Sequence, residues 1–136
     1  VTPAEVAERH RLTEHPYEGW FRQTDHAEGR FRSFLYLLPA GVFAPWHRVP
    51  ADVLWSYEDG GPLAVSTSPD GMQVGAAKLG PGAGFARSSW VRQGAYQTLE
   101  PVGEWTLLRG TLVPDVTMAD REVTPDAWYP GGGAWA

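Results

Sequence analysis

The sequence predicts a single all-β domain, a sandwich or barrel, with one short helix at its amino end. Three observations carry this expectation. From residue 19 onward, short segments rich in aromatic and β-branched residues alternate with Gly, Pro and Asp. The segments recur roughly every 8 to 12 residues without helical periodicity between them, which is the texture of a β-sandwich or barrel. A length of 136 residues with 43% apolar composition suits one domain with its own core.

The elements follow in order. Thr2-Pro3-Ala4-Glu5 opens a helix, with Thr2 as cap, Pro3 at the first helical position and Glu5 completing a capping box. The helix can run to about Arg11, within residues 1–12, because His15-Pro16 opposes continuation. Strands are expected at Gly19 to Thr24, Arg32 to Leu38, Gly41 to Val49, Val53 to Glu58 and Leu63 to Ser68. Further strands are expected at Gln73 to Leu79, Ser88 to Val91, Tyr96 to Glu100 and Glu104 to Val113. Asp59-Gly60-Gly61, Ser68-Pro69-Asp70-Gly71, Gly80-Pro81-Gly82 and Pro101-Val102-Gly103 supply the turns between them. The barrel thus covers residues 19–118, and residues 119–136 read as an irregular tail within a single domain spanning 1–136.

Composition narrows the chemistry. The chain has no cysteine, which removes disulfides, thiolate catalysis and cysteine-based metal sites. Sixteen acids face eleven cations, Lys78 being the only lysine, and the net charge of -5 opposes nucleic-acid binding. No apolar run approaches the roughly 18 to 20 residues of a membrane span, so a cytoplasmic protein without a membrane partner is expected. Gly80-Pro81-Gly82-Ala83-Gly84 lacks the ending of a phosphate loop, and no Gly-x-Ser-x-Gly elbow occurs.

The densest candidate stretch runs from Gly41 through Trp46-His47-Arg48-Val49 and Asp52-Val53-Leu54-Trp55-Ser56-Tyr57 to Gly60. Gly41, His47 and Gly60 resemble the first motif of the cupin superfamily. His15-Pro16-Tyr17-Glu18-Gly19-Trp20-Phe21-Arg22, Gly60-Gly61-Pro62-Leu63 and Trp105 to Pro114 resemble a branch of small single-domain cupins of unknown function. The resemblance covers about residues 12 to 118. It implies a cupin-type jelly-roll β-barrel, commonly paired as a homodimer.

The departures from that family bear on mechanism. Where metal-binding cupins place a second His and a Glu, this chain has Val49 and Val53, and the position of the last ligand is Gln97. Ser56 stands where the branch often adds a histidine. Valine donates nothing to a metal, so the expectation is a cup with no metal and no cofactor. A weaker site assembled from His47, Gln97 and Asp52 is the alternative.

An imidazole freed from coordination titrates near neutrality, so His47 is the candidate general acid or base, with Tyr57 and Tyr96 as catalytic partners. The competing reading is a histidine satisfied by a neighbouring hydroxyl or backbone group. Strand parity gives Pro45 and Val49 the face of His47, and carries that face on through Val53, Trp55 and Tyr57. Trp55 then stacks on a ligand or fills core, and Gln97 bonds a ligand or, within the barrel, Ser56 or a tyrosine. Trp46 and Arg48 fall on the opposite face, although parity can slip at Pro45 or Pro50. Arg48 and Arg109, with Arg22 and Arg92 behind them, are candidate receptors for a carboxylated or phosphorylated small molecule, and Asp52 is their best carboxylate partner. Otherwise they are solvated or paired surface arginines. The expected function is a metal-independent enzyme that isomerises, cyclises or eliminates on a small molecule, by analogy with metal-free cupin epimerases and cyclases. A non-catalytic small-molecule-binding cupin is the alternative. The nearly lysine-free composition suits a GC-rich bacterial gene and a tailoring step in specialised metabolism.

Overall fold

In a computed structural model that describes residues 1–15 and 18–132, two antiparallel sheets face one another across a shared core. Pro16, Tyr17 and the last four residues of the expected tail, 133–136, lie outside the described residues. The chain runs α1 (Pro3–Arg9), β1 (Thr13–Glu14), β2 (Trp20–Ala27), β3 (Phe31–Pro39), β4 (Ala44–Arg48) and β5 (Asp52–Gly60). It continues through β6 (Leu63–Ser68), β7 (Gly75–Leu79), β8 (Ser88–Val91), β9 (Tyr96–Pro101) and β10 (Trp105–Val113). A 3-10 turn at Met118–Asp120 leads to β11 (Glu122–Val123). The first sheet has the order β1-β2-β3-β10-β5-β8, and the second β11-β4-β9-β6-β7.

The capping box behaves as its residues dictate: the Glu5 amide donates to Thr2 Oγ1 at 3.2 Å, and Pro3 begins the helix. The helix stops at Arg9, short of Arg11, which adopts a left-handed φ of 57°. Val6 and Ala7 bury against Leu35, Leu37 and Leu107 on the outer face of the first sheet. Because α1 covers that face, β3 is buried on both sides: Leu35 and Leu37 turn to the helix, Phe34, Tyr36 and Leu38 to the core.

The core between the sheets gathers Phe34, Tyr36, Leu38, Val53, Trp55, Leu63, Leu99, Leu108 and Leu112. Gly110 pairs with Trp55 across β10 and β5, and a Cβ there would stand 2.5 Å from Phe34 Cζ and 2.7 Å from Trp55 Cζ3. Absence of a side chain at Gly110 is what admits the indole. At the β5–β6 hairpin Gly60 has φ +90°, and a Cβ would meet the Trp105 ring at 2.5 Å.

The two departures from the expected element list lie at the ends. Thr13–Glu14 adds a short edge strand, and the region read as an irregular tail carries β11, which pairs Glu122 with Arg48 and Val123 with His47. Both are two-residue strands, too short for periodicity to show. Among the described residues, no helix is long and apolar enough to cross a membrane.

Candidate functional site

His47 lies on β4 with no solvent exposure. Its placement depends on a register shift: Ala44 pairs with Leu99 and His47 with Gln97, so the alternation breaks between them. Ala44, His47 and Val49 are all buried, while Pro45 is only half-buried. Pro45 therefore does not share the imidazole's face as strand parity predicts, because a residue without an N–H interrupts the ladder there.

The imidazole is held in one tautomer. Nδ1 lies 2.6 Å from the Pro45 carbonyl oxygen, which can only accept, so Nδ1 carries the proton. Nε2 is left with a bare lone pair, and among the described residues it is buried without a hydrogen-bond partner. Burial pushes the His47 pKa down to about 4, against a smaller upward pull from the Pro45 hydrogen bond. At neutral pH the ring is an uncharged acceptor.

Around it, two inward side chains satisfy each other: Trp55 donates its indole N–H to Gln97 Oε1 at 2.8 Å. Gln97 is thus tied to Trp55 rather than to Ser56. Tyr57 also points inward, but its hydroxyl donates to the Gly60 carbonyl at 2.5 Å and stands at the hairpin end.

The other assigned residues stand outside the cup. Ser56 alternates with Trp55 and Tyr57 and so takes the outer face of β5, in register with Arg109 and Ser88. On that face Arg109 donates to Glu58 Oε1 at 2.9 Å and to Thr24 Oγ1 at 3.0 Å. Arg48 is on the outer face of β4, paired with Glu122 at 2.9 Å and with its guanidinium 5.1 Å from the Tyr96 ring centre. Tyr96 precedes inward Gln97 and therefore faces out, packed on Trp128 at 4.6 Å between ring centres. Asp52 accepts the Gln93 amide at 2.7 Å and braces the start of β5. Arg22 donates to the His10 carbonyl at 2.8 Å, and Arg92 stands 3.7 Å from Asp52.

Sequence reasoning passed over a buried ionic cluster. Arg121 donates to both oxygens of Glu18, at 2.7 and 3.0 Å, with side chains only 3% and 7% exposed. Tyr36 donates its hydroxyl to Glu18 Oε1 at 2.5 Å, and the His15 ring packs 5.5 Å from the Tyr36 ring. Burial alone would raise the Glu18 pKa, but hydrogen bonds from Arg121 and Tyr36 outweigh it and hold it low. His15 is pushed down by desolvation, opposed by Glu18. Both charges of the pair act on His47, Arg121 lowering and Glu18 raising its pKa, so they belong to its surroundings. The register explains why: Glu122 pairs with Arg48, so Arg121 arrives beside Val49 on the cup side of β4. A surface depression of about 260 Å³ lined by His15, Glu18, Trp20 and Val42 reaches this cluster from outside. Glu18 and Arg121 lie 103 residues apart, and only their burial, absent from any local pattern, marks them.

The donor set does not fit a cupin metal ion. The four family positions hold His47, Val49, Val53 and Gln97, and the Gln97 oxygen is engaged by Trp55. Among the described residues no group of three or more His, Cys, Asp or Glu side chains is arranged to hold a metal.

Comparison with known proteins agrees with this architecture. The model of a family described as Cupin superfamily (DUF985) matches residues 4–124. No curated protein matches the chain. A protein from Shewanella oneidensis of known structure is similar over 98% of this chain and 94% of its own, at 23% identity and a TM-score of 0.82. A hypothetical protein from Leishmania major is similar over 98% of this chain and 96% of its own, at 17% identity and a TM-score of 0.85. The DMSP lyase of Ruegeria pomeroyi is similar over 89% of this chain and 65% of its own, at 15% identity and a TM-score of 0.62.

Proposed function

Since the chain belongs to the Cupin superfamily (DUF985) family, we propose that it is a small-molecule enzyme in which His47 accepts and returns a proton through Nε2. The observation that carries this reading is the imidazole itself, fully buried, locked as the Nδ1–H tautomer and bare at Nε2 among the described residues. A neutral acceptor fixed by a backbone carbonyl needs no reorganisation when a substrate proton arrives.

A ring with so low a pKa is a weak base on its own. Proton transfer, however, creates an imidazolium and a substrate anion side by side where water is excluded, and each stabilises the other. The reaction class is therefore one in which a proton leaves one substrate atom and returns to another: isomerisation, cyclisation or elimination. The chemistry runs without a metal at the four family positions, whose donors do not suffice. Of the residues first assigned to the site, Trp55 and Gln97 shape the wall, and Tyr57 contributes from the hairpin end. The DMSP lyase of Ruegeria pomeroyi, a neighbour in fold, lends the reading a precedent of fold alone.

The competing role is a binding module, favoured by the satisfaction of the other inward polar groups: Gln97, Tyr57 and Tyr36 already have partners. Screening small-molecule libraries for a change of mass in substrate separates the two. For an enzyme, His47→Ala abolishes turnover with little change in Tm and ligand affinity. A ligand that binds without conversion in the wild type, and is lost in His47→Ala, identifies a binder.

A further inference from the structure

We propose that residues 116–123 form a strap over the edge of β4, latched by the Arg121–Glu18 pair, and that its release gives small molecules their path to His47 Nε2. The inference rests on the reading of His47 as the working group and concerns how a substrate reaches it.

Burial of Nε2 raises the question of a path. The atom is enclosed and bare among the described residues, while the core side chains pack on one another: Trp55 stands edge-to-face with Phe34 at 5.8 Å and bonds Gln97. Two surface depressions adjoin the strap and its latch, and His47 lines neither. One, of about 310 Å³, is lined by Asp120 and Glu122 of the strap, by Gln93 and Gly94, and by buried Val49. The other, of about 260 Å³, is lined by Glu18 and His15. Arg121 stands beside Val49 in register and bonds Glu18, so its side chain spans from a residue of the first to a residue of the second.

The strap is pinned at both ends and held lightly between them. Ahead of it, Asp115 accepts from Arg32 Nε at 2.8 Å and from the Gly29 amide at 3.2 Å, and meets His26 Nε2 at 2.7 Å. Behind it, the Thr124 amide and hydroxyl both donate to the Trp46 carbonyl, at 3.1 and 2.9 Å. Between these anchors the turn closes on itself: the Thr117 amide donates to Asp120 Oδ2 at 2.9 Å, and the Asp120 amide to the Thr117 carbonyl at 3.0 Å. Its described ties to the body are Val116 against the core, a two-residue ladder with β4, the exposed Glu122–Arg48 pair and the buried Arg121–Glu18 pair. An exposed pair contributes little and so short a ladder is marginal, which leaves the buried pair as the latch.

An ion pair suits that role. Its attraction is largely offset by the cost of taking both charges out of water, so it fixes the strap in one place without the penalty of pulling out an apolar plug. When the strap lifts, both charges regain water together. If one partner is removed, the other is stranded and the closed state loses its advantage. Lifting β11 frees the edge of β4 at His47, with which Val123 pairs.

Diethyl pyrocarbonate, which acylates an unprotonated imidazole nitrogen, reads the path at neutral pH, with peptide mass mapping to separate His47 from His10, His15 and His26. In the wild type, His47 is expected to be labelled at a rate independent of urea below the unfolding transition. Amides of residues 119–123 are expected to exchange with deuterium faster than those of β3 and β10. Glu18→Gln strands the Arg121 charge and should speed labelling of His47 by about tenfold or more while β3 and β10 stay protected. Wild-type labelling that rises with urea in step with exchange in β3 and β10, no labelling of His47, or strap amides as protected as those two strands each overturns the proposal. A folded Glu18→Gln variant labelled no faster than the wild type does the same, and if that variant does not fold the wild-type urea series decides. His47 labelled through the strap in a protein that converts no substrate defeats the catalytic reading and leaves the strap standing; conversion of substrate behind a strap that never opens does the reverse.

Discussion

At the scale of single residues, the burial of His47 couples protonation to folding. An unfolded histidine takes up its proton near pH 6.5, whereas folded His47 resists until about 4. Between these values the unfolded state binds more protons, so stability is complete above about pH 6.5 and declines as pH falls through 4. The loss from this one group is on the order of 3 kcal/mol. Urea titrations across that window are expected to show the decline in the wild type and a flatter profile in His47→Phe. By the same argument, kcat/KM should hold from neutrality down to pH 5 and drop with a midpoint near 4, whereas a midpoint at 6.5 would place the active base elsewhere. Gln97 makes a second test. Replacing it with Leu leaves the buried Trp55 N–H without an acceptor, and chemical denaturation should show a loss of about 1–3 kcal/mol.

Elements decide which of these residues meet. The two-residue strand β11 would be negligible by itself, yet it lays Arg121 beside β4 and lets the Glu18 ion pair anchor it. Arg121→Met should leave Glu18 buried without its partner and cost about 3–5 kcal/mol, most of which the double variant with Glu18→Gln restores. Limited proteolysis should then cut first between residues 114 and 124 in the single variant; unaltered resistance there would show that β11 is held by other contacts. On the far side of the cup β10 carries Gly110 under the indole. Gly110→Ala forces Phe34 and Trp55 apart, and a loss of about 1–3 kcal/mol with altered tryptophan fluorescence is expected.

For the whole molecule, the two sheets close into a cupin barrel in which, among the described residues, no group of three or more His, Cys, Asp or Glu is arranged to hold a metal. Millimolar Zn²⁺ or Mn²⁺ is expected to leave Tm unchanged, since a ligand that favours the folded state raises it by mass action. A saturable rise would reveal donors beyond His47. The sheet order also explains why the site is assembled late in sequence: β4 reaches its edge partner β11 only after β10 has crossed the first sheet between β3 and β5.

The sequence by itself determined the elements that depend on local rules. The capping box set the helix start, turn residues separated the strands, and alternation in β5 turned Trp55 and Tyr57 inward. The inward positions read for His47, Val49 and Val53 are buried in the fold. Tertiary structure alone decided the rest. A register shift beside Pro45 put Ala44 as well as His47 in the core, turning the parity of that strand. Arg48 and Arg109 went to outer faces, where acids on neighbouring strands hold them, and Glu18 met Arg121 across 103 residues. Local pattern reports only the face a residue prefers. Partners are set by which strands become neighbours, and that depends on how two whole sheets bury their apolar sides against each other.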